Sequence, residues 1–469
     1  MHILFPKFIS NKSINLYFII LVVICILFSQ YAMKWYWFLF GAVEVVCFFY
    51  YSNYLTKSWS LISPNVFKKK LFKYAFLIRL FAVIFLYFFF DAMTGQPFMF
   101  AAADSVAYHK EGIWLSECIR SGDISPYISY IVSKGGVSDI GYPVWLGINY
   151  SIFGPNIIVI RIIKAILSAY SCVLIYKITY RNFSDDVARM SSIFCMLMPN
   201  LIVYSGMHMK ETEMIFLILL YIERTDTFLR EKCFNIIKII PPLLLAGSLF
   251  FFRTVLGVTA FISLFVSLVL TNKEVIKQSV KIKTLLLTII IAITFGGTTI
   301  YNEINQYWQN REINQETRLK EREMRGNQIV KYAGAAVFAP MIFTLPFPTL
   351  VETEGQEFFR MIHGGNYIKN VMSFFTIMAI FILIFNKNWK NHVFIGSFLI
   401  LYLIILTLSA FAHAERFHLP CVPLEMIFAA VGVSLCNRKN AFYFNYWMII
   451  IFVANIVWAW LKLKGRGVL

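Results

Sequence analysis

Runs of close to twenty apolar residues recur along the whole chain, and no other feature limits its fold as much. About twenty such residues in a helix cross the hydrocarbon core of a bilayer, where each backbone group must find its partner within the protein. A membrane barrel needs short alternating segments instead, and these are not seen. Only 14% of the 469 residues are charged and 59% are hydrophobic, whereas a soluble domain carries about a quarter charged residues. The expected fold class is an all-α polytopic membrane protein.

The length rule places about thirteen transmembrane helices, near 15–33, 35–54, 74–93, 157–180, 186–203, 211–228, 238–252, 255–270, 282–300, 368–386, 391–411, 418–436 and 441–461. The pair 238–252 and 255–270 is short, hence tilted or partly re-entrant. The first run, Leu16 to Phe28, lacks a small-residue cleavage site and reads as a retained helix. Residues 1–73 then hold two N-terminal helices and a basic cytoplasmic loop. Residues 74–436 form a core with outer loops 94–156 and 301–367, and 437–469 supply a last helix and a basic tail.

The net charge of +18 would suggest nucleic acid on a soluble surface. Here the cations gather in short loops: Lys57 with Lys68, Lys69, Lys70 and Lys73; Arg181; Arg224, Arg230 and Lys232; Lys273 to Lys283; Lys387 and Lys390; Arg438 and Lys439. Taking every second turn as cytoplasmic puts all of them on one side, as basic residues flanking spans require. The bilayer is the expected partner and nucleic acid is not. Lys462, Lys464 and Arg466 conflict, because they fall outside. The eight Cys form no CxxC pair, so no metal or other cofactor is implied.

The outer face collects ionisable groups from five segments. The first loop, Phe98 to Tyr150, carries Asp104, Tyr108, His109, Lys110, Glu111, Asp123 and Asp139. Asp104 is either a general base for an acceptor hydroxyl or a helix N-cap. Lys210 and Glu211 open a span. Glu suits a first turn, but Lys opposes the helix dipole there, so Lys210 either binds phosphate or snorkels to headgroups. Arg253 sits in a greasy FFRTVLG context and calls for an anion. Arg416 does the same beside His413, Glu415 and His418, unless it pairs with Glu415. The two His are five apart, off the i, i+4 metal spacing. Within 301–367, Tyr301 to Tyr332 reads as a charged helix and Ala333 to Val351, with three prolines, as a broken segment lining a cavity. Trp114, Tyr142 and Trp145 are interfacial aromatics or a platform for a sugar.

In order along the chain stand Asp104-Ser105-x-x-Tyr108, Gly141-Tyr142-Pro143-x-x-Leu146, Phe153-Gly154, Arg161, Pro199 before Lys210-Glu211, and Arg416-Phe417-x-x-Pro420-x-x-Pro423. This set resembles the GT-C superfamily of membrane glycosyltransferases, in particular bacterial relatives of protein mannosyltransferases and aminoarabinose transferases (family 39-like). The resemblance covers roughly residues 75–435. It implies amphipathic helices in the first outer loop and transfer of a sugar from a polyprenyl-phosphate donor to a glycan, lipid or protein acceptor, with inversion, outside the cytoplasmic membrane. Asp104 would be the base, and Lys210, Arg253 and Arg416 would hold the lipid phosphate, with Tyr108, Glu211, His413 and His418 lining the site. Two extra spans precede the family-like core, and Ser105 replaces the acidic partner that follows the Asp in many mannosyltransferases. A surface-polysaccharide polymerase or ligase is the alternative enzyme. A lipid-linked sugar flippase would call for related halves and mid-membrane charge, and no repeat is visible.

Overall fold

The computed structural model describes residues 3–134, 138–231, 235–271, 276–295, 305, 339–409 and 412–467. Those residues are mostly helical and contain no strand. Helices α1 (Lys7–Leu27) and α2 (Trp35–Ser58) make an antiparallel hairpin, and α3 (Pro64–Thr94) follows. Pro64 suits the first turn of α3, and Gly95, at φ 72°, ends it in a conformation that side chains resist. Three helices then lie in the loop expected at 94–156: α4 (Ala103–Ser121), α5 (Ser125–Lys134) and α6 (Gly141–Phe153).

Helix α7 (Ile157–Asn182) starts on Asn156, whose side chain accepts from Ile158 and Val159. Next come α8 (Asp185–Leu197), α9 (Pro199–Ser205), α10 (Glu211–Leu229), α11 (Ile236–Phe252), α12 (Thr254–Leu270) and α13 (Gln278–Phe295). After the undescribed stretch follow α14 (Glu357–Met361), α15 (His363–Phe385), α16 (Val393–Thr407), the single turn α17 (Glu415–His418), α18 (Val422–Ser434) and α19 (Arg438–Lys464).

Among the described residues, six helices are long and apolar enough to cross a membrane, or up to seven if the bent pair α8–α9 is one span. Four shorter apolar helices accompany them, including α11 and α12. Their outer faces are greasy: Phe18, Ile19, Val22 and Ile26 on α1, and Phe81, Ile84, Phe85 and Phe88 on α3, are all exposed. Water would penalise such continuous apolar surface, whereas lipid tails solvate it.

The chain runs back and forth between two ends. At one end Arg181, on the last turn of α7, meets Glu223 and Asp226 of α10 at 3.0 Å each, and Arg230 meets Asp226 at 3.0 Å. The N-termini of α7 and α10 stand at the other end, with the loop helices. The last helix also finishes at that loop end: Lys462 donates to Gln356 at 2.9 Å and Arg466 to the carbonyl of Glu354. The cations that conflict with the basic-loop rule therefore lie with the loop 349–360, where they have partners.

Two irregular stretches survive inside the bundle because side chains satisfy them. Pro199 bends α8 against α9 by 53° and has no N–H to give the carbonyl of Cys195, four residues back. Arg79 of α3, 1% exposed, donates to that carbonyl at 3.2 Å and to the carbonyl of Met196 at 3.3 Å. Of the expected broken segment Ala333 to Val351, residues 333–338 lie outside the described residues, and 344–351, with Pro346 and Pro348, are buried without helix. Lys369 reaches the Leu345 carbonyl at 2.5 Å, and Asn370 reaches those of Thr344 and Pro346. The expected charged helix 301–332 lies outside the described residues, apart from residue 305. Helices α15 and α18 touch backbone to backbone, since a Cβ on Gly432 would overlap the Phe375 carbonyl.

Candidate functional site

Asp104 lies in the first turn of α4, one residue inside the helix. The cap position is Ala102 and no side chain caps the helix, so the capping role is not the one Asp104 fills. Its carboxylate instead meets the Arg416 guanidinium at 2.6 Å. Arg416 belongs to α17, which is held from below. Glu415, buried, accepts from Asn200 at 2.6 Å and from Tyr204 at 2.7 Å. Arg416 thus does not pair with its neighbour Glu415, which is committed elsewhere.

Arg253 is the single extended residue between α11 and α12, at φ −165°. The two short helices are therefore a hairpin whose tip delivers one guanidinium. Its Nη1 donates to the Tyr402 hydroxyl at 3.3 Å, and that hydroxyl donates to the Phe417 carbonyl at 2.9 Å. Both cations lie against the Phe417 ring, Arg253 at 4.3 Å and Arg416 at 5.4 Å. An aromatic face attracts cations, which lets two like charges share one neighbourhood.

Glu211 is the first residue of α10 and has no exposed surface. Neither carboxylate oxygen has a hydrogen bond, and Arg253 Nη2 stands 3.9 Å away. Lys210 occupies the cap position before it, donates to the Phe252 carbonyl at 3.0 Å and pairs with the exposed carboxylate of Asp139. Burial, and next the charge of Arg253, pull the Lys210 ammonium down to about 7. Burial lifts the Glu415 carboxyl to about 7. Tyr108 stands one turn beyond Asp104 on α4, edge-on to Tyr142 at 5.3 Å. Its phenol is pushed up by burial, then by Glu211 and Asp104.

The structure therefore gathers Asp104, Tyr108, Lys210, Glu211, Arg253 and Arg416, from four separated segments, at one end of the bundle. It does not add the two histidines on the same terms. His418 is buried beneath α17, where Nδ1 meets Lys369 at 2.8 Å and Nε2 meets the Ala412 carbonyl at 2.7 Å. His413 lies close enough for its charge to be felt at His418. Tyr142 is wholly buried, with Trp145 stacked on it at 5.9 Å and Lys164 over its ring at 4.9 Å. It is packed into a wall rather than offered to a sugar.

Several polar residues around this centre were not singled out from the sequence. Lys164 and Glu213 pair at 3.2 Å between α7 and α10, and Lys369 and Glu425 at 3.4 Å between α15 and α18. Their signal was present, since a charge inside an apolar run is itself a reason to look. Among the described residues, no group of three or more His, Cys, Asp or Glu is placed to hold a metal ion. No family model, curated protein or solved structure matches the chain.

Proposed function

We propose that this chain is a glycosyltransferase of the cytoplasmic membrane that moves a sugar from a polyprenyl-phosphate donor to an acceptor hydroxyl at the outer face. The observation that carries the reading is the meeting of Asp104 with three cations, Lys210, Arg253 and Arg416, and with the acids Asp139, Glu211 and Glu415 beside them, at a single end of an apolar bundle. A phosphate leaving group needs cations where its charge develops, and a hydroxyl nucleophile needs a base. In this reading the thirteen apolar segments all cross the bilayer, the shorter ones included.

The Asp104–Arg416 pair gives the order of events. A guanidinium fork binds phosphate as readily as carboxylate, so a donor phosphate competes for Arg416. Capture of Arg416 by the phosphate releases Asp104. The freed carboxylate takes the acceptor proton while the hydroxyl oxygen attacks the anomeric carbon from the face opposite the phosphate. The bond to the phosphate oxygen breaks, and its electrons stay on polyprenyl phosphate, neutralised by Lys210, Arg253 and Arg416. The acceptor is a glycan, lipid or protein hydroxyl.

The test is transfer by the purified protein in liposomes holding a polyprenyl-phosphate sugar. Asp104→Asn removes the base, and general-base loss lowers turnover roughly 10²–10⁴-fold while donor binding persists. Undiminished transfer by that variant would end the assignment of Asp104.

A further inference from the structure

A second buried polar cluster lies beneath α4 and α6, and the transfer proposed above does not use it. Its centre is Arg161, in the second turn of α7 and 0% exposed. One Nη donates to the carbonyl of Pro97, while Nε and the other Nη have no partner. His208, 1% exposed, repeats the pattern: Nε2 meets the Tyr150 hydroxyl at 3.2 Å, and Nδ1 has no partner. No carboxylate pairs with Arg161 among the described residues, and Glu213 is committed to Lys164, one turn along α7, at 3.2 Å, so the guanidinium stands without a counter-charge.

A buried, unpaired guanidinium costs several kcal/mol. The open groups Nε and Nη1 lie on different edges of the guanidinium, each edge completed by Nη2, whose second hydrogen can join either of them in gripping an oxyanion. Arg161 lies four residues below the start of α7, about 6 Å at 1.5 Å per residue, which is headgroup depth. Its Cζ sits 5.9 Å from the Tyr87 ring, on the helix whose Ile84 and Phe88 face outward. Tyr142, edge-on to Tyr108, separates this cluster from Arg253 and Arg416.

We infer that Arg161 and His208 form a second anion site that takes a phosphate-class oxyanion, distinct from the cluster at Asp104. The inference is independent of the transferase reading, because it needs only the geometry of α7 and the α9–α10 loop.

The test uses the full chain in a phosphate-free maltoside detergent, titrated in separate arms with inorganic phosphate and with dihexanoyl phosphatidic acid. The readout is the thermal unfolding midpoint. A saturable upward shift is expected. Response to inorganic phosphate identifies a soluble oxyanion, and response to the lipid alone identifies a headgroup. Arg161→Gln is expected to weaken the binding roughly tenfold or more, the equivalent of one good charged contact. Arg161→Lys, which keeps the charge but not the fork, is expected to weaken it less. In an Arg253→Gln background, where the response of the Asp104 cluster is weakened, the part of the shift that depends on Arg161 is expected to persist. Absence of a saturable shift with either probe in the unaltered protein overturns the site. So does loss on Arg253→Gln with retention on Arg161→Gln.

Discussion

Lys210 and Glu415 stand on opposite sides of the same charge balance. Burial disfavours the ionised form of each, so the ammonium comes down to about 7 and the carboxyl goes up to about 7. As pH rises through that value, Lys210 loses a positive charge and Glu415 gains a negative one. Both changes make the cluster less attractive to phosphate. The Michaelis constant for the donor is therefore expected to rise between pH 6 and 8, and Lys210→Arg, which stays charged, to flatten that rise. A donor profile that is level across the range in the unaltered protein would count against phosphate binding at Lys210. That Asp104, Arg253 and Arg416 deserved attention was legible in the chain, because a charge in greasy surroundings needs a reason. Their partners were not. Asp104 and Arg416 are over three hundred positions apart, and only the folded helices bring them to 2.6 Å.

Among the elements, the broken pair α8–α9 shows how an irregular span is kept. Pro199 announces a break in the sequence, and Arg79, a charge inside an apolar run, announces a role but not its partners, which are backbone carbonyls and the Ser168 hydroxyl rather than acids. Replacing it by Leu leaves the carbonyls of Cys195 and Met196 without these donors, at about 1–3 kcal/mol each for buried groups. Arg79→Leu is thus expected to lower the unfolding midpoint of the detergent-solubilised protein. Adding Pro199→Ala returns an N–H for Cys195 and is expected to recover part of the loss. If the double variant were no more stable than the single one, the clamp would not be what holds the bend. The hairpin α11–α12 was easier to read, because two short apolar runs on either side of Arg253 leave few other ways to expose one guanidinium.

For the whole molecule, the two ends differ in kind. One carries Arg181, Glu223, Asp226 and Arg230 in ion pairs; the other carries the loop helices, the Asp104 cluster and the end of α19. In a variant lacking its native cysteines, Ser121→Cys and Lys464→Cys are expected to react with an impermeant maleimide from one side of sealed vesicles, and Lys57→Cys from the other. Labelling of Ser121→Cys and Lys57→Cys from the same side would contradict the two-ended arrangement. Of the basic loops, those of Arg181 and Arg230 come together at one end, as the loop rule has them. The rule failed at Lys462 and Arg466 because those cations are anchored by Gln356 and the Glu354 carbonyl, a local attraction that loop counting does not contain. The closed Asp104–Arg416 pair bears finally on timing. On the proposed reading the carboxylate stays engaged while no phosphate is present, and the arrival that brings the sugar also frees the group that activates its acceptor. Loading of the lipid would then precede readiness toward the hydroxyl.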